Sequence, residues 1–81
     1  MRKPIVVPDL GEVSPVLSVW YVNPGEWVYA GDRVVEVLIR GATVDIAAPV
    51  SGRLLERLAG PDESLSPGQV LGHVEEDEDA E

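Results

Sequence analysis

The sequence predicts an all-β domain made of two similar halves, and three observations carry that prediction. No window sets apolar residues at i, i+3, i+4 and i+7 behind a capping residue, so nothing reads as an amphipathic helix. Short runs rich in Val, Ile and Leu are instead separated by Gly, Pro, Asn and Asp, the punctuation of strands and turns. Finally, the second half repeats the first at a constant offset of 37 residues. At that offset Val13 meets Val50, Pro24 meets Pro61, Glu26 meets Glu63, Gly31 meets Gly68 and Val37 meets Val74. The aliphatic positions follow the same shift: Leu17 with Leu54, Val28 with Leu65, Val34 with Leu71. Neither half is large enough to bury its own apolar face, so the two should pack on each other about a pseudo-twofold axis.

Taken in order, Ile5-Val6-Val7 reads as a first strand ended by Pro8-Asp9. A turn-rich connection follows over Leu10-Gly11-Glu12-Val13-Ser14-Pro15. Residues 16–22 form a second strand, apolar at nearly every position, which is therefore either buried on both sides or interrupted by a bulge. Asn23-Pro24-Gly25 is a turn signal, and Trp27-Val28 a very short strand before Ala30-Gly31-Asp32. Two β-branched and aliphatic runs, residues 34–39 and 42–47, then face each other across Arg40-Gly41. That is an antiparallel hairpin in which Gly41 provides the positive φ the turn needs. The repeat gives this hairpin a counterpart at the other end of the molecule, where the first and last strands should lie side by side.

Eighty-one residues allow one domain with a modest core. The absence of cysteine removes disulfides and thiolate metal sites and points to an intracellular, cytoplasmic chain. No apolar run reaches membrane length, and no charged start leads into an apolar stretch with a cleavage site. The net charge of −9 is uneven: residues 75–81 hold six of the fifteen acids, leaving nine acids against six bases elsewhere. The domain is expected over residues 1–75, and residues 76–81 as a solvated, disordered acidic tail, with binding to a basic partner as the sharper alternative. The acidic balance disfavours nucleic acid or an anionic membrane as partner.

Three stretches carry a family resemblance. They are Val7-Pro8-Asp9-Leu10-Gly11-Glu12, then the run from Val19 to Asp32 with its Asn23-Pro24-Gly25-Glu26 turn, then the run from Ala42 to Gly52. Together they resemble a lipoyl domain of the biotinyl/lipoyl-attachment family, most closely those of 2-oxo acid dehydrogenase acyltransferases. The resemblance covers residues 4–75 and implies a flattened eight-stranded barrel or sandwich of two four-stranded sheets. In that family the tip of the central hairpin reads Glu-Thr-Asp-Lys-Ala, and its lysine takes lipoic acid or, in the sister pattern, biotin. Laid onto this chain those positions are Leu38, Ile39, Arg40, Gly41 and Ala42, so the resemblance puts Gly41 where the lysine stands. Arg40 is no substitute, since its guanidinium stays protonated and is a poor nucleophile. The only lysine in the chain is Lys3, expected near the opposite pole.

Two readings of the tip stand side by side: a good hairpin turn left where a modification site was, or a binding tip built on Arg40. At least one of Leu38 and Ile39 should be exposed, which favours contact with another chain. Gly11, Glu12, Val13, Ile39 and Arg40 are the candidate partner contacts. Trp20 and Trp27 read as core and edge packing. His73 has no second His or Cys with which to hold a metal and is a polar strand residue. Asp32, Glu36 and Asp45 lack a nucleophile or a His partner, and are solvated acids rather than catalytic ones. No catalytic constellation is present. The expected function is that of a non-catalytic lipoyl-like interaction module with no cofactor, whose protein partners belong to dehydrogenase or carboxylase complexes. The alternatives are a swinging-arm carrier for acyl or carboxyl transfer and a purely structural spacer.

Overall fold

The computed structural model describes residues 1–11 and 14–77, which span 39 × 20 × 17 Å. Seven strands follow one another: β1 (Arg2–Val6), β2 (Val16–Trp20), β3 (Trp27–Val28), β4 (Arg33–Ile39), β5 (Ala42–Ala47), β6 (Gly52–Arg57) and β7 (Val70–Glu76). All pairings are antiparallel. One sheet has the order β1-β7-β6-β3 and the other β2-β4-β5. The described residues contain no helix. The first strand begins three residues earlier than its apolar run, at Arg2, because Arg2-Lys3-Pro4 continues the pairing with β7.

The 37-residue repeat is a geometric fact as well as a sequence one. Shifting β4 by 37 gives the bounds of β7, and the two strands share one sequence of buried and exposed positions. The bulge between Leu17 and Val19 in β2 recurs between Leu54 and Glu56 in β6. Leu17 N donates to the Glu63 carbonyl at 3.0 Å, and Leu54 N donates to the Glu26 carbonyl at the same distance. Turn chemistry repeats too: Asn23 N donates to Glu26 Oε1 and Gly60 N to Glu63 Oε1, at 2.6 and 3.1 Å. These side-chain acceptors satisfy turn amides that would otherwise need water.

Three expectations change. The second strand stops at Trp20, two residues short, after which Tyr21 N makes one last bond to the Val34 carbonyl before the chain turns at residues 23–25. Its nearly continuous apolar run is explained by the β2 bulge, which leaves Val19 40% exposed while Leu17 and Trp20 stay inside. The expected eight strands are seven, and the two sheets, four-stranded and three-stranded, do not join into a closed barrel. The eighth, at the position equivalent to β3, is reduced to one bridge between Ser64 and Val16. Pro15 supplies the reason. Leu65 N donates to the Pro15 carbonyl at 2.8 Å, but proline has no N–H with which to extend the ladder. The tail expected from Glu76 starts inside β7, and Asp77 N still bonds the Ser51 carbonyl; residues 78–81 of that tail lie outside the described residues.

Between the sheets lies one core of Ile5, Leu17, Val28, Val34, Val35, Val37, Ile46, Leu54, Leu71 and Val74 together with Val7, Trp20, Ala48, Ala59 and Leu65. Burying a side chain of this size contributes about 1.5–3 kcal/mol. Trp20 breaks the twofold, since its equivalent is Arg57. Its ring reaches over Gly72, whose own equivalent is Val35, and its Nε1–H donates to the Ala59 carbonyl at 2.9 Å. A β-carbon on Gly72 would lie 3.4 Å from that ring and would collide with the Glu56 carbonyl oxygen. Gly72→Ala should therefore destabilise the domain by about 2–3 kcal/mol, as overpacking against backbone does. Gly60→Ala, with nothing within 4 Å, should change stability by less than about 0.5 kcal/mol. Urea midpoints of the two variants against the parent check the contrast.

Candidate functional site

The hairpin expected across Arg40-Gly41 is present, with Ile39 facing Ala42 and the pairing continuing down to Arg33 and Ala47. Gly41 takes φ +75°, while Arg40 is not in the left-handed region. Only one of the two central residues is left-handed, so this is not the doubly left-handed type I′ turn. No atom lies within 4 Å of where a Gly41 side chain would begin. A side chain here would thus meet open space, and glycine serves its φ rather than a close approach.

Beneath the apex a shallow groove is lined by Ser14, Val16, Leu38, Ile39 and Arg40. Leu38 faces Val16 across the sheet and is 43% exposed, whereas Ile39 turns inward and packs against the core. Among the described residues Arg40 has no ion pair or hydrogen bond. A neighbouring groove shares Ser14 and is lined by Pro8, Asp9, Leu10, Gly11, Pro15, Leu65 and Pro67. Gly11 sits there at φ +86°, held by a 3.0 Å bond from its N–H to Asp9 Oδ1. The candidate contacts Gly11, Ile39 and Arg40 therefore line adjoining grooves, although Ile39 offers little free surface. Glu12 and Val13 lie outside the described residues.

The pole opposite the tip holds the two strand ends that the twofold equates with the hairpin. There Arg2 faces Glu75, and Glu76 N bonds the Met1 carbonyl at 2.9 Å. Lys3 lies in β1 at this end, facing Val74. No amine is found at the tip, whose residues are Leu38, Ile39, Arg40, Gly41 and Ala42. His73 is a half-buried strand residue with Nδ1 2.6 Å from Glu56 Oε2. Trp20 is buried and Trp27 half-buried at the sheet edge, under the Arg53 guanidinium, 5.8 Å from its ring centre.

One cluster was not anticipated. On the outer face of the three-stranded sheet the Tyr21 hydroxyl donates toward Glu36 Oε2 and Asp45 Oδ1, at 3.2 and 3.3 Å. Arg33 Nη1 sits 3.3 Å from Asp45 Oδ2, and its guanidinium lies 5.5 Å from the Tyr21 ring centre. Strand alternation puts Glu36 and Asp45 on one face, but the bulge between Arg33 and Val35 that brings Arg33 beside them has no sequence signal.

The described residues thus form an all-β domain of two pseudo-equivalent halves with an exposed hairpin at one pole. Comparison with known proteins makes the class specific. The Biotin_lipoyl family model, described as "Biotin-requiring enzyme", matches residues 3–74, and the chain belongs to this family. It is 36% identical over 73 residues to the lipoamide acyltransferase component of a branched-chain alpha-keto acid dehydrogenase complex from Pseudomonas putida. That match takes in 88% of this chain but only 17% of the acyltransferase. Solved structures share the fold, and two of them serve as examples. One is the lipoyl domain of the 2-oxoglutarate dehydrogenase complex from Azotobacter vinelandii, with TM-score 0.74, 21% identity, and coverage of 90% of this chain and 95% of that one. The other is a single-chain, multi-domain long-chain acyl-CoA carboxylase, with TM-score 0.81, 16% identity, and coverage of 98% of this chain and 7% of that one.

The Tyr21 cluster has a pH signature. Desolvation against the sheet raises the hydroxyl's pKa above its ordinary value, and the bonds to and charges of Glu36 and Asp45 push the same way. A group raised on folding adds stability that is intact below its unfolded pKa of about 10 and is lost as pH climbs through the folded value. A spectrophotometric titration should show Tyr21 ionising late, and Glu36→Gln with Asp45→Asn should lower its pKa only in part, because the desolvation remains. A Tyr21 titration that the double change leaves in place would contradict this assignment.

Proposed function

We propose that this chain is a lipoyl-like domain without an attachment site, acting in the cytoplasm as a non-catalytic interaction module with components of 2-oxo acid dehydrogenase or carboxylase complexes. The observation that carries the reading is the chemistry of the hairpin apex. Attaching lipoate or biotin forms an amide, which needs a primary amine at an exposed and rigid point. The family resemblance aligns that point with Gly41, and the one lysine of the chain, Lys3, is in β1 at the other pole. The tip therefore does not fit the family's cofactor, and no transfer step is assigned to it. What the tip offers instead is a guanidinium with no ion pair among the described residues, above the apolar side chains of Val16 and Leu38. Apolar contact beside an exposed charge suits recognition of another protein. The acyltransferase relative named above is a component of a dehydrogenase complex, which supports protein partners of that kind.

Incubation with a lipoate or biotin ligase, the corresponding acid and ATP should leave the mass of this chain unchanged. An adduct, even on Lys3, would sink the reading in favour of a swinging-arm carrier. Gly41→Lys should fold with a cost of about 1 kcal/mol, because a side chain at φ +75° is strained although nothing crowds it. Weak modification is expected for that single variant. Adding Leu38→Glu, Ile39→Thr and Arg40→Asp should raise it sharply by restoring the approach that the family presents.

A further inference from the structure

The pseudo-twofold makes β1 and β5 equivalent: Ile5 faces Gly72 and Ile46 faces Val35, so that β1 positions map onto β5 at an offset of 41. Both are outermost strands of their sheets. An outermost strand turns every second N–H and C=O away from its partner, where they can pair with a further strand. Ala48 fixes the alternation in β5, since its N–H donates to the Asp32 carbonyl and its C=O accepts from Gly31. Counting back in twos, Ile46, Val44 and Ala42 bond β4, and Thr43, Asp45 and Ala47 turn their amides outward. All three outward residues are exposed. In β1 the same count from Val7, which bonds Gln69 and Gly68, turns Arg2, Pro4 and Val6 outward. The middle position of that edge is a proline, which removes the central donor and blunts strand addition. The equivalent position in β5 is Asp45, which keeps its N–H.

One of two equivalent edges is thus closed by Pro4 and the other is open. We propose that the β5 edge is a docking surface for an extended, basic segment of a partner protein, added antiparallel as a further strand of the three-stranded sheet. The main chain of Thr43, Asp45 and Ala47 supplies the ladder. Charge selects the occupant: Asp45 and Glu36 lie side by side on the outer face, with Arg33 as their one cationic neighbour among the described residues. A lysine or arginine on the added strand meets these carboxylates, whereas an acidic segment meets their repulsion and that of a chain with net charge −9. The inference concerns a surface apart from the tip and does not depend on the tip's role.

The test uses the whole chain, labelled with nitrogen-15, and a blocked peptide of alternating threonine and lysine. Binding should move the amide signals of Thr43, Asp45 and Ala47 and disturb Val44 and Ile46 less. Asp45→Pro copies the β1 arrangement and leaves the bonds to β4 intact, so it should fold and weaken binding at least about tenfold, since main-chain bonds give such docking its affinity. Asp45→Asn keeps the N–H and should weaken it only about threefold, the effect of one exposed charge. Should the proline variant not fold, the same peptide N-methylated on its ladder-facing amides decides, and it should not bind. Shifts centred elsewhere, undiminished binding of Asp45→Pro or of the methylated peptide, or equal binding of a threonine–glutamate peptide would each overturn the proposal.

Discussion

The whole fold depends on burying two equivalent strands, β4 and β7, between two sheets that neither half could form alone. Val34, Val35 and Val37 on one strand and Leu71 and Val74 on the other are among the most deeply buried side chains. Each strand is the spine of its sheet, with partners on both sides. Because half a domain of this size cannot bury enough apolar area against its own conformational entropy, the halves are stable only together. The repeated bulges follow from the same requirement. Each sheet must twist and coil to cover the other, and a bulge at matching places in β2 and β6 supplies that curvature.

This dependence explains what was legible in the sequence. The offset of 37 could be read from Leu17, Val28, Val34 and their partners because the twofold forces equivalent positions into equivalent burial. Arg40-Gly41 was legible because a tight turn with a left-handed residue narrows the choice of amino acid to a few. The loss of the eighth strand was hidden for a local reason: Pro15 removes one donor, and its effect appears only once Leu65 is known to lie opposite. The Arg33 contact with Asp45 was hidden because it depends on a bulge, which shifts a side chain sideways without any change of composition.

Where the halves differ, the differences compensate in pairs. Trp20 occupies the place of Arg57, and Gly72 the place of Val35, so that a large ring meets an absent side chain. On the outer faces the cluster of Tyr21, Arg33, Glu36 and Asp45 has as its counterpart Leu58, Val70, His73 and Pro4. Of those, Leu58 and Val70 are exposed and apolar, and Val6 faces Val70 beside them. The core tolerates only compensated departures from symmetry, because its packing is shared. The outer faces tolerate unrelated chemistry, because solvent accepts either.

The tip is the extreme case of that freedom. Apart from its chain neighbours, nothing lies within 4 Å of where a side chain at Gly41 would begin, and the hairpin beneath it is fixed by the Ile39–Ala42 pairing and the buried rows of β4. Changing the apex residue therefore alters folding by little more than the strain of one φ angle. The apex residue and the residues that hold the hairpin together are therefore different ones. A chain can consequently keep every feature that places it in the family and still present Arg40 and Gly41 at its tip. For that reason the function is better argued from these residues than from the fold that carries them.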